Sequence, residues 1–135
     1  MKAVFGDSLY FLALVNPRDA YHVRAVEFAR NWRGVIVTTR WVLAEVGDGL
    51  SGEANRALAV RLIERVTASA RFRVTRGSDD LFERGFDLYR QREDKSWSLT
   101  DGISFVGMAD EKLTEALTGD RHFAQAGFTA LLAER

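Results

Sequence analysis

Short apolar segments of strand type alternate along this chain with segments of helical period, and few folds accommodate that alternation. The clearest strand is the β-branched run Val35-Ile36-Val37-Thr38-Thr39, set off by Gly34. Ala3-Val4-Phe5, Phe72-Arg73-Val74-Thr75, Glu115 to Thr118 and Phe128 to Leu132 read as further strands. A short helix begins near Ser8 and stops at Asn16-Pro17. The next runs from about Asp19 to Trp32, with Ala25, Phe28, Ala29 and Trp32 on one face. Another carries Trp41 to Leu50. Ser51 is expected to cap the helix after it, whose face holds Ala59, Leu62, Ile63 and Val66. Ser78 is expected to cap a helix with Phe82, Gly85, Phe86 and Tyr89 as its apolar face. From Thr100 to about Lys112 the pattern is apolar nearly all round, which predicts a buried helix. Strands alternating with helices imply βαβ units: an α/β fold with a mostly parallel central sheet and helices on both faces.

The 135 residues suit one domain spanning 1–135, long enough to bury a substantial core. Absence of cysteine excludes disulfides and thiolate metal sites, and two histidines are too few for a zinc site of the usual kind. No apolar run reaches the roughly 18 residues of a membrane span, and the first residues lack the pattern of a secretory signal. A cytoplasmic protein without membrane attachment is the expectation. With 19 basic and 19 acidic residues the chain is not the basic coat expected of a nonspecific nucleic-acid binder. Its basic residues are nearly all arginine, which suits phosphate but equally reflects codon bias.

Acidic residues recur where predicted strands give way to helices, or one turn beyond. Asp7 follows the first strand, Glu45 lies just past the second, Asp101 sits in Ser98-Leu99-Thr100-Asp101, and Asp120 follows Leu117-Thr118-Gly119. The carboxyl ends of strands in an open parallel sheet line one crevice, where ligands bind. Each acid also has a structural explanation. Asp7 and Asp120 suit helix N-caps, Asp101 suits a capping box with Ser98, and Glu45 suits an exposed helix position. Together they would repel one another unless a cation shared them, and hard divalent ions such as Mg2+ and Mn2+ prefer oxygen ligands. Glu45 lies among Trp41, Val42, Leu43, Ala44 and Val46, with no Lys or Arg three or four residues after it.

The strings Phe5-Gly6-Asp7-Ser8, Trp41-Val42-Leu43-Ala44-Glu45-Val46, Ser98-Leu99-Thr100-Asp101 and Leu117-Thr118-Gly119-Asp120-Arg121-His122-Phe123 resemble, in order and spacing, the PIN domain. The resemblance covers essentially the whole chain. It is strongest to the small stand-alone PIN proteins of the VapC toxin type, from bacterial and archaeal toxin–antitoxin pairs. It implies a PIN-like three-layer fold and a Mg2+- or Mn2+-dependent endoribonuclease. Asp7, Glu45, Asp101 and Asp120 match the family's metal-binding and catalytic acids, and Thr100 matches a hydroxyl beside them. Ser8 fits the residue after the first aspartate, Ser8 and Arg121 are candidate substrate contacts, and His122 is a further such contact or a polar loop residue. Gly6 departs from the family's larger residue and is expected to loosen the strand end. The implied partners are an RNA substrate, a cognate antitoxin and a second copy in a homodimer, with Trp41 or Trp97 as candidate contacts, each equally plausible as core.

Other function classes fit less well. An aspartate phosphotransferase normally needs a second acid two residues after the first, where this chain has Leu9. A PIN-fold RNA- or protein-binding module without turnover leaves the complete set of acids unexplained. An RNA-processing nuclease outside toxin–antitoxin systems shares the same chemistry and differs in biological context.

Overall fold

The computed structural model describes residues 2–134. The chain runs β1 (Ala3–Gly6), α1 (Ser8–Val15), α2 (His22–Asn31), β2 (Val35–Thr38), α3 (Arg40–Gly49), α4 (Arg56–Ala68) and β3 (Phe72–Val74). It continues through α5 (Asp79–Gln91), α6 (Leu99–Asp110), β4 (Glu115–Leu117), α7 (Arg121–Gln125) and β5 (Thr129–Ala130). The strands form one sheet in the order β3-β2-β1-β4-β5, and every pairing is parallel. β1 is therefore central, and its carboxyl end lies between those of β2 and β4.

The short strands are apolar on both faces because helices cover both. Val4, Phe5, Ile36, Val37, Ala116 and Leu117 are all buried. Phe105 of α6 joins the core edge-on, its ring 5.0 Å from Trp97 and 4.9 Å from Phe123. As its composition predicts, α6 is buried nearly all round; it stops at Asp110, two residues short of the expected end. Lys112 there takes a positive φ of 57°, which helical geometry does not allow.

Three local expectations are corrected, and one left open is settled. Ser51 does not cap α4: residues 52–55 form a turn in which the Asn55 N–H bonds the Gly52 carbonyl, and the helix begins only at Arg56. Gly6 does not loosen its strand end. It belongs to β1, and a Cβ there would stand 2.9 Å from Ile36 Cγ2 and 3.0 Å from the Phe11 ring, so the missing side chain allows tight packing. The buried face of α5 is Leu81 and Gly85, with Leu88 packed at the margin of the core. Phe82, Phe86 and Tyr89 instead face solvent and stack in series with half-buried Trp41, with centroids 6.2–6.5 Å apart. Trp97, which the sequence leaves open between exposed contact and core, is core.

Candidate active site

Asp7 leaves β1 at the centre of the sheet and occupies the N-cap position of α1, but its side chain makes no capping bond. It turns instead toward Thr118 at the end of β4, whose Oγ1 donates to Asp7 Oδ2 at 2.8 Å. The same Thr118 oxygen accepts the Asp120 N–H at 3.0 Å. One fully buried hydroxyl thus ties the first and last acids together. A second, Thr38 Oγ1, donates to the Gly6 carbonyl at 2.8 Å and fixes β1 against β2 just before Asp7.

Glu45 reaches the same place from the second turn of α3, whose start is fixed by the Thr39 cap on the Val42 N–H. Its Oε1 accepts a hydrogen bond from Ser8 Oγ. Asp101 arrives on the first turn of α6. It makes the capping box with Ser98, and its Oδ2 also lies 3.0 Å from His122 Nδ1. Asp120 caps α7 by accepting the His122 N–H at 2.9 Å, and its Oδ2 lies 3.3 Å from His122 Nδ1. Capping and membership of the site are therefore compatible: Asp101 and Asp120 do both.

Asp7, Glu45, Asp101 and Asp120 line one open cleft of about 380 Å³, together with Ser8, Asp19, Ser96, Ser98 and His122. Neither lysine nor arginine is among the residues lining it. Burial pushes the Asp7 carboxyl up to about 7; the Thr118 hydrogen bond opposes this, and the charges of Asp101 and Glu45 add to it. Five carboxylates facing one space with no lysine or arginine among its lining form a donor set suited to a hard divalent cation. Asp7, Glu45, Asp101 and Asp120 are the residues that would hold it.

Thr100 and Arg121 do not line the cleft. Arg121 is exposed on α7. Asp19 and His122, which line the cleft, and Thr118, which bonds Asp7, stand outside the metal and catalytic residues expected from the sequence. In the sequence Thr118 reads as a strand residue, His122 as a substrate-phosphate contact or a polar loop residue, and Asp19 as a helix start. The available signal was distance from Asp120: Thr118 precedes it by two and His122 follows it by two.

No family model matches the chain. It is 27% identical over 131 residues to the 23S rRNA-specific endonuclease VapC20 of Mycobacterium tuberculosis, covering 97% of this chain and 99% of that protein. The crystal structure of M. tuberculosis VapC20, a Sarcin-Ricin loop cleaving toxin, superposes with a TM-score of 0.86 at 26% identity, over 93% of this chain and 96% of VapC20. The chain is a homologue of VapC20 with the PIN-like fold. More distant structures share this VapC-type fold. VapBC2 from Rickettsia felis gives a TM-score of 0.67 at 14% identity, covering 96% of this chain and 97% of that one. FitAcB from Neisseria gonorrhoeae gives 0.62 at 16% identity, covering 94% of each chain. Among the described residues no helix of this VapC homologue is long and apolar enough to cross a membrane.

Proposed function

We propose that this protein is a divalent-metal-dependent endoribonuclease and the toxin of a toxin–antitoxin pair. The observation that carries this reading is the convergence of Asp7, Glu45, Asp101 and Asp120 on one cleft that has no lysine or arginine in its lining. Homology to an endonuclease over nearly the whole length supports it. RNA is a polyanion, so an acidic cleft repels it unless a cation intervenes. Mg2+ or Mn2+ held by these acids would supply that charge and would lower the pKa of a bound water. Among the chain's own groups, Glu45 is held by Ser8 at the cleft wall, placed to orient water and accept its proton. Asp101 and Asp120 are fixed by their capping bonds, and Thr118 holds Asp7. Ser8 and Arg121 border the acids and are proposed to contact the RNA backbone. Because the relative's target is 23S rRNA, ribosomal RNA is the first substrate to try.

Two surfaces suit the partners of such a toxin. A groove of about 620 Å³ between α2 and α4 is apolar within, lined by Leu14, Leu62 and others. Arg30, Arg61, Arg65 and Arg71 also line it, and none of the four has a carboxylate partner among the described residues. That combination suits an antitoxin segment bearing acidic and apolar residues. The aromatic series on α5 suits a second copy of the chain. Asp79 and Asp80 open this helix and Arg90 closes it, so two copies packed antiparallel set acidic ends against basic ends.

Induced expression in a bacterial host tests the toxin reading. Growth should arrest with the parent and continue with Asp7→Ala or Asp101→Asn. Arrest of equal strength with the acid variants would show that toxicity does not arise in this cleft.

A further inference from the structure

We infer that His122 is itself a ligand of the divalent ion, through Nδ1, making the site a mixed carboxylate–imidazole centre that favours Mn2+ over Mg2+. The inference rests on the metal-nuclease reading and adds to it a donor outside the quartet of acids.

The geometry is that of a ligand set. His122 Nδ1 stands 3.0 Å from Asp101 Oδ2 and 3.3 Å from Asp120 Oδ2. One donor atom from each of these residues lies within 4.8 Å of the other two. Adjacent ligands of an octahedral ion about 2.1 Å from its donors are separated by roughly 3.0 Å, the metal–ligand distance multiplied by the square root of two. The ring nitrogen thus stands from each of the two carboxylate oxygens at about the separation of neighbouring vertices of one coordination shell. The residue is held there: its own N–H is bonded to Asp120 Oδ1 at 2.9 Å, and its side chain is only 19% exposed.

The other histidine provides the contrast. His22 Nδ1 lies 2.7 Å from the Ala13 carbonyl, a bond that anchors the start of α2 to α1. The Nδ1 partners of His122 are two carboxylates of the cleft. No Lys or Arg lines the cleft to take up this position between Asp101 and Asp120. Mg2+ gains little from a nitrogen donor, whereas first-row transition ions gain more, so an imidazole ligand tilts the site toward Mn2+.

The chain has two histidines, so an untagged His22→Gln variant leaves His122 as its single imidazole. Pulsed EPR of this variant loaded with Mn2+ should show the hyperfine coupling of a directly bound nitrogen, and 15N-histidine labelling should change it accordingly. His122→Ala should abolish the coupling. By calorimetric titration it should lose about tenfold or more in Mn2+ affinity and clearly less in Mg2+ affinity. Mn2+ bound without nitrogen coupling, or coupling that survives in His122→Ala, would overturn the inference while leaving the carboxylate site standing. A parent protein that binds neither ion would overturn the metal-nuclease reading as well.

Discussion

Asp7 carries the strongest electrostatic consequence of any single residue here. It is 5% exposed at the end of the central strand, and burial raises its carboxyl from 3.8 to about 7. A group whose pKa is higher in the folded state favours the fold while protonated. Its contribution is complete below pH of about 4 and is lost as pH rises through about 7. In EDTA, the parent should therefore lose up to about 1.4 kcal/mol of stability per pH unit across that window relative to Asp7→Asn. Denaturant titrations of both proteins at several pH values measure this difference, and parallel curves would contradict it. The four acids were legible in the sequence because each follows its own strand or opens its own helix, which topology alone gathers at one sheet edge. Thr118 was not, and His122 was legible only as a candidate substrate contact. Their roles depend on which way a side chain turns over two residues of loop, and spacing does not fix that. The hydroxyl sought at Thr100 is supplied at the acids by Thr118 and Ser8 instead.

At the scale of elements, α5 and α6 meet backbone to backbone. A Cβ on Gly85 would lie 2.7 Å from Ile103 Cα, and one on Gly102 would lie 2.9 Å from the Gly85 carbonyl oxygen. Gly102 adjoins Asp101, so this contact sets where the first turn of α6 delivers its carboxylate. Gly85→Ala should cost about 1–3 kcal/mol and reduce nuclease activity by displacing α6. Chemical denaturation and cleavage assays check both effects; an alanine that leaves both unchanged would show that the approach is not needed. Periodicity alone placed the buried face of α5 on its aromatics. A pattern count gives Phe82, Phe86 and Tyr89 more weight than Gly85, whereas close helix packing demands the residue with no side chain. The Ser51 cap failed for a related reason. Ser, Thr, Asp and Asn all favour N-caps, and the turn at 52–55 assigned that position to Asn55.

Across the whole molecule, one edge of the sheet holds the acids while α5 and the α2–α4 groove face elsewhere. The order of strands and helices was readable because βαβ alternation leaves few topologies. The surfaces were not, since exposure depends on which neighbour covers each helix. If the aromatic series on α5 joins two copies, Phe86→Asp should yield monomers with nearly unchanged stability, because Phe86 is 40% exposed in the single chain. Sedimentation of parent and variant measures this, and an unchanged assembly would remove α5 from the interface. The central claim is that the acidic cleft hydrolyses RNA with a divalent ion. Its most direct test incubates purified protein, freed of contaminating ribonuclease, with 23S rRNA in Mg2+, in Mn2+ and in excess EDTA, beside Asp101→Asn. Cleavage should occur with either ion, stop in EDTA and be lost in the variant; undiminished cleavage in EDTA, or by Asp101→Asn, would contradict it.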